Sequence, residues 1–269
     1  MAARRRLDAE LVRRNLATSS ARARELIESG QVTVGGASAL KPARMVDPGE
    51  AVLILGDGPR FVSRAGEKLD AALDRFAVNP DGRRVIDVGS STGGFTDCVL
   101  QRGAKETVAI DVGRNQLHEK LRADDRVAVY EQTNVRHVSP DDVGGAGDLV
   151  VADLSFISLR TVAEPILTLA CRGADLLLLV KPQFEAGKAD ADKGRGVIRD
   201  PAVWLDTLIL ASGALAAAGA AIMGVMVSPI TGSDGNVEFL VHARAHDEPA
   251  SEVDVLAWAQ AAVVEAEGL

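Results

Sequence analysis

Four charged residues stand where an apolar run of this 269-residue chain gives out: Asp87 after "RVI", Asp111 after "VAI", Asp153 after "LVVA" and Lys181 after "LLLLV". One buried strand ending in a charge is often only an exit to solvent. Four on successive runs mark one edge of a sheet, and open α/β sheets bind ligands beyond the carboxyl ends of their strands. Carboxylates and an amine there can accept hydroxyl hydrogen bonds, face a cation, and take or stabilise a proton. The stretch "RVIDVGSSTGGFTD", 84–97, narrows the ligand. Gly89-Ser90-Ser91-Thr92-Gly93-Gly94 lacks the middle glycine of the dinucleotide pattern G-x-G-x-x-G. With Asp87 two residues ahead of Gly89, it fits better the D-x-G-x-G-x-G loop of S-adenosylmethionine sites, Ser91 replacing the central glycine. Asp111, roughly twenty residues on, can accept two ribose hydroxyls in either kind of site, so the loop alone leaves NAD open.

The apolar runs that position these residues are Val85–Val88, Val108–Val112, Val127–Tyr130, Leu149–Ala152, Leu176–Val180, Ile222–Val227 and Val237–Ala243. Helical patterns lie between most of them. "RAGEKLDAALDRFA" precedes the first and "AVWLDTLILASGALAAAG" the sixth. This alternation predicts an α/β fold, a Rossmann-like sheet of about seven mostly parallel strands covered on both faces. The loop "SPITGSDGN" is too short for a helical crossover, so the last strand is expected to be antiparallel. Ahead of all this, "LDAELVRRNL" puts Leu7, Leu11, Val12 and Leu16 on one face, and "TSSARARELIESG" offers Ser19 or Ser20 as N-cap and Gly30 as a stop. "QVTVGG" and "AVLIL" follow as strands. This small α+β module is marginal for an independent core and should lean on a neighbour or partner. The turn-rich "GDGPR" marks a boundary, giving expected domains at 1–58 and 64–269 joined by a linker at 59–63.

Net charge is −8, but it is unevenly spread: residues 1–60 carry 10 Lys+Arg against 7 Asp+Glu, or +3, leaving −11 for the rest. A basic module on an acidic body is expected when one part touches phosphate. The expected RNA contacts are Arg4, Arg5, Arg6, Arg13, Arg14, Arg22 and Lys41, with Arg64, Lys188 and Arg195 from the second part. Segment 185–201 mixes basic residues with glycines, as a phosphate-contacting lid or a solvated loop would. Two cysteines make no disulfide framework, and four scattered histidines have no ligand spacing. A reducing cytoplasm and no metal are therefore expected. The basic N-terminus is not followed by an apolar signal core, and the longest apolar stretches are too short for a bilayer.

Lys68, Asp153, Lys181 and Glu238, in that order, resemble the tetrad of the FtsJ-like ribose 2′-O-methyltransferases. The layout of a short basic S4-like module and then "VSRAGEKL", "DVGSSTGGFTD", "VVADLSFISL", "LVKPQFE" and "GNVEFL" resembles the TlyA family across nearly the whole chain. The resemblance implies an S-adenosylmethionine-dependent methyltransferase acting on the 2′-oxygen of cytidine in ribosomal RNA. Some members act on one subunit and others on both, and members have also carried a haemolysin label. It implies ribosomal RNA or ribosomal subunits as partner; separately, a monomer in the cytoplasm is expected. It assigns Lys68, Asp153, Lys181 and Glu238 to catalysis, and Gly89, Ser91, Gly93 and Asp111 to the cofactor. Asp87, Thr92, Gly94, Phe95, Asn134 and Asp153 are grouped with the cofactor set, and Phe156 flanks the site. Members with the wider substrate range tend to have Trp in the linker, where this chain has Phe61 in "PRFVSR". A ribose hydroxyl is a poor nucleophile near neutral pH. Lys181 is the expected central group, as base or as a charged stabiliser of the oxyanion, with Asp153 and Glu238 positioning it and Lys68 completing the charge balance. An RNA-binding protein with a vestigial cofactor domain and a membrane-active cytolysin are the competing readings. The intact tetrad opposes the first, and the absence of a long amphipathic basic helix opposes the second.

Overall fold

The computed structural model describes residues 4–55, 60–186, 196–232, 234–246 and 251–268. The chain divides into two compact units, Met1–Arg60 and Phe61–Leu269. In the first, strand β1 (Arg5–Arg6) leads into helices α1 (Leu7–Arg13) and α2 (Ser20–Glu28). Strands β2 (Val32–Val34), β3 (Ala37–Ser38), β4 (Met45–Val46) and β5 (Val52–Ile54) follow. Ser19 is the cap of α2, its hydroxyl accepting from the Arg22 amide at 3.1 Å. β2 pairs antiparallel with β3 and β5, and β1 with β4. Leu7, Leu11, Leu26, Ile27, Val32 and Val46 are fully or almost fully buried together, so the expected apolar face forms a core of the unit's own.

The second unit opens with α3 (Ala65–Arg75), and then runs β6 (Arg84–Val88), α4 (Gly94–Gln101), β7 (Glu106–Ile110), α5 (Glu119–Arg122), β8 (Val127–Tyr130) and β9 (Gly147–Ala152). It continues through α6 (Leu159–Thr168), β10 (Ala170–Val180), α7 (Pro182–Glu185), α8 (Pro201–Ala217), β11 (Ala220–Val227), β12 (Phe239–Ala245) and α9 (Glu252–Ala266). Seven strands make one sheet in the order β11-β12-β10-β9-β6-β7-β8. β10, β9, β6, β7 and β8 are parallel, and β12 runs antiparallel to both its neighbours, as the short loop before it requires. Alternate residues serve opposite faces. Ile86, Val150, Leu176 and Leu178 pack under α6, α8 and α9, whereas Val85, Leu149, Leu177 and Leu179 pack under α3 and α4.

Several strand boundaries move from the expectation, and two of them bear on the site. The second strand of the sheet ends at Ile110, which leaves Asp111 in the loop beyond it. The last strand begins at Phe239 and lies between β10 and β11, so Glu238 precedes a central strand and cannot be an edge-guarding charge. Phe61, expected in a linker, is buried in the second unit's core, where a Cβ on Gly66 would fall 2.3 Å from its ring. Its neighbour Val62 donates its amide to Asp97 Oδ2 at 2.8 Å.

Candidate active site

The sheet order reverses at β6: β7 and β8 extend to one side, β9 and β10 to the other. Such a switch point opens a crevice beyond the strand ends. The glycine loop fills one wall of it. Gly89 has φ +82°, and a Cβ there would lie 2.8 Å from the Asp153 carbonyl, so only glycine lets the loop pass this close to the end of β9. Gly93, at φ +96°, starts α4, and a Cβ on it would strike Leu121. Between them Ser91 adopts φ +47° without being glycine. The cleft measures about 340 Å³. Gly89, Ser90, Ser91, Thr92, Gly94 and Phe95 line one side, Ser63, Arg64, Ala65 and Lys68 a second, and Asp153, Lys181, Gly232 and Glu238 the third.

All four residues of the expected tetrad therefore reach one cleft, arranged as two ion pairs. Lys181 Nζ lies 2.5 Å from Asp153 Oδ1, out of line for a hydrogen bond, and donates to Ser155 Oγ at 3.0 Å. Lys68 on α3 pairs with Glu238 Oε2 in a short contact. At 7% and 3% exposure, that pair is buried, which rules out an ordinary solvated helix lysine. A charge taken out of water needs its partner, so each pair constrains the other elements that carry it. Gln183 Nε2 approaches Glu238 Oε1 at 3.5 Å. The Phe184 ring centroid is 5.9 Å from Lys181 Nζ and 5.2 Å from the Phe156 ring. Phe156 itself is 91% exposed at φ +63°, a strained conformation for an aromatic residue.

The expected cofactor residues separate into three groups. Ser91, Thr92, Gly94, Phe95 and Asp153 line the cleft with Gly89, while Gly93 lies behind the loop against Leu121. Asp111 does not line it. Its two oxygens accept from the Ser91 amide at 2.8 Å and the Gly113 amide at 2.6 Å, tying it to the loop's back edge. Asp87 is corrected from a cleft residue to a supporting one. It is 0% exposed beneath the loop, with Oδ2 accepting from Thr96 Oγ1 at 2.6 Å and Oδ1 without a hydrogen-bond partner. The reason is its parity with Val85, which turns it toward α4 instead of outward. Burial pushes its carboxyl up to about 7; Asp153 and Asp111 add to the rise, and the Thr96 hydroxyl opposes it. Asn134 is likewise outside the lining, its side chain accepting from the Arg136 amide at 3.1 Å to cap a short turn. Val112, beside Asp111, is 70% exposed.

The basic module carries its arginines in pairs with acids. Arg4 meets Asp47 at 3.0 Å, Arg6 meets Asp8 at 2.7 Å, and Arg22 meets Glu25 at 2.6 Å. Arg13 and Arg14 grip the buried Glu10 at 2.6 and 2.8 Å, with Arg5 further off at 3.9 Å. The Arg13 hydrogen bond, with Arg14 assisting, outweighs burial and holds the Glu10 carboxyl down at about 2. Arg14 also donates to the Glu50 carbonyl at 2.8 Å, which makes it a strut of the fold. Lys41 is exposed, and Arg64 lines the cleft. Lys188 and Arg195 lie outside the described residues. Among the described residues, no group of three or more His, Cys, Asp or Glu side chains gathers as metal ligands, and no helix is long and apolar enough to cross a membrane.

The model of the FtsJ-like methyltransferase family matches residues 61–245, and that of the S4 domain matches residues 5–52. The chain is 47% identical to the 16S/23S rRNA (cytidine-2′-O)-methyltransferase TlyA of Mycobacterium tuberculosis, over 93% of each chain. It is 32% identical to the 23S rRNA (cytidine-2′-O)-methyltransferase TlyA of Campylobacter jejuni, over 86% of this chain and 96% of that one. A solved structure from Streptococcus thermophilus, provisionally assigned as a hemolysin, matches at TM-score 0.75 and 35% identity over 99% of both chains. The second unit is thus an FtsJ-like methyltransferase domain, and an S4 domain precedes it. Within that class the chain belongs to the TlyA family.

Proposed function

We propose that this enzyme transfers the methyl group of S-adenosylmethionine to the ribose 2′-oxygen of cytidine in ribosomal RNA, in the small subunit and, as a second target, the large one. The observation that carries the reading is the pair of ion pairs, Lys181–Asp153 and Lys68–Glu238, converging on a cleft walled by the glycine loop. The residues fit the cofactor. The loop approaches closely at Gly89, an acid stands behind it at Asp111, and the buried Asp87 carboxyl, whose Oδ1 has no hydrogen-bond partner, lies under it with Asp153 and Asp111 nearby, a setting that favours a cation. When bound, the cofactor supplies an activated methyl group. Ser91, Thr92, Gly94 and Phe95 would hold it, and Lys181 would take the proton of the ribose 2′-hydroxyl or electrostatically support its oxygen as that proton leaves. Residues 1–58 serve RNA capture, 59–63 link the domains and 64–269 carry the chemistry, in a monomeric cytoplasmic enzyme.

The test is methylation of small and large subunits from a strain lacking the modification, with labelled cofactor and ribose-methyl mapping. Incorporation at a cytidine 2′-oxygen supports the reading; no incorporation, or a methyl on a base, overturns it. A target nucleotide buried in folded RNA has to leave its stack, and an exposed aromatic can receive its base. Phe156, strained and exposed beside Phe184, is that platform. Phe156→Ala should weaken RNA binding by about 1–3 kcal/mol and leave cofactor affinity unchanged. Titrations of each ligand check this, and an unchanged RNA affinity would remove Phe156 from the RNA path.

A further inference from the structure

We propose that Ser155 is a positioning residue of the methyl transfer: its hydroxyl fixes the rotation of the Lys181 amine, so that one direction of Nζ stays turned to the ribose 2′-oxygen. This rests on the methyltransferase reading above. A lysine amine is a three-fold rotor on a flexible stem. Asp153 supplies it with charge, but the 2.5 Å contact is out of hydrogen-bond line and does not fix that rotor. The directional bond is the one to Ser155 Oγ at 3.0 Å. Among the described residues these two are the amine's polar contacts; the nearby Phe184 ring accepts no conventional hydrogen bond. With Ser155 holding one direction and the Asp153 charge drawing a second toward itself, the third is left for the nucleophile. It does so as an N–H donor to the developing oxyanion, or as a lone pair that takes the hydroxyl proton. Atoms balance in both cases. The O–CH₃ bond forms as the S–CH₃ bond breaks, sulfur keeps the electron pair as a neutral thioether, and the proton passes to Nζ or to water.

The backbone around Ser155 is held from both sides. Upstream, the Asp153 amide donates to the Val88 carbonyl at 3.2 Å, tying the segment to the end of β6. Downstream, the buried Glu185 accepts from the Leu159 amide and the Ser158 hydroxyl, each at 2.5 Å. Between these anchors sits the strained Phe156. Strain held by anchors on both sides belongs to function more than to stability. Glu185 and Lys181 share the run "KPQFE", so the segment that carries the amine also clamps the loop that orients it.

The experiment is single-turnover methylation of ribosomal RNA by the full-length protein at saturating RNA and cofactor, comparing Ser155→Ala and Ser155→Thr. Ser155 is exposed, so neither variant threatens the core. Ser155→Ala should slow the methyl-transfer step by about tenfold to a hundredfold. Both dissociation constants should hold at wild-type values, and Thr, which keeps the hydroxyl, should restore the rate. A wild-type rate in Ser155→Ala overturns the assignment, as does a loss confined to binding or one that Thr fails to rescue. An inactive wild-type protein would instead overturn the methyltransferase reading itself.

Discussion

Lys181→Ala is expected to lower the single-turnover rate by about 10²–10³ at saturating RNA and cofactor, the usual loss when one oxyanion-facing group is removed. Affinities for both ligands should hold, because the interaction strengthens only as the ribose oxygen gains charge. The structure adds a second expectation. Lys181 and Asp153 form one unit at 2.5 Å, so their losses should not add. Asp153→Ala alone strips the amine of its counter-charge; the double variant should be little slower than Lys181→Ala. Lys181→Arg keeps the charge but cannot act as a base, and its planar head does not reproduce the bond to Ser155. Substantial activity in that variant would make electrostatic support the whole of the residue's role. A near-wild-type turnover in Lys181→Ala would remove the ion pair from catalysis, and additive losses in the double variant would show that the two residues act apart.

The strand-end charges were legible because each followed an apolar run, and the structure puts Asp111 and Asp153 at the same edge of the sheet as Lys181. The pairing of Lys68 with Glu238 could not be read, since 170 residues separate them and only the insertion of β12 beside β10 carries Glu238 to α3. Sequence order also hides which acid meets which amine: four charges in a row became two neutral pairs. The burial of Asp87 was within reach, because period-2 parity from Val85 already directs it under α4. Ser155 and Gln183 left no signal, being neutral residues whose meaning is a distance to a charge. In the basic module the excess of arginine was visible, but its neutralisation was not. Glu10 recruits Arg13 and Arg14 through spacings of three and four on and just past α1, a pattern that composition alone conceals.

Asp87→Asn should stabilise the free protein at alkaline pH and weaken its hold on the cofactor. In the folded chain the Asp87 carboxyl stands at about 7 against an ordinary value of 3.8. Below the lower value both folded and unfolded chains hold the proton, and the carboxyl costs nothing. As pH rises between the two, the unfolded chain sheds its proton while the folded chain retains it, so stability falls. Above about 7 the cost levels off at about 4 kcal/mol. Asn keeps the shape and can still accept from the Thr96 hydroxyl, but does not titrate. Its amide hydrogens lack partners in that pocket, which costs about 1–3 kcal/mol at every pH. The informative quantity is therefore the change with pH. The variant's stability relative to wild type should improve by about 2–3 kcal/mol from pH 5 to pH 8, seen as several degrees in Tm. Cofactor binding should move the opposite way. A buried anion under the loop favours a sulfonium, and Asn offers none, so at pH 8 the variant should bind S-adenosylmethionine more weakly while losing less affinity for the uncharged product. Such a trade is what an active site keeps when a destabilising charge serves its ligand. Melting curves of both proteins across this range, with and without cofactor, decide the matter: parallel curves at every pH would show that Asp87 does not titrate in this window, and equal cofactor affinity would show that its charge is not felt in the cleft.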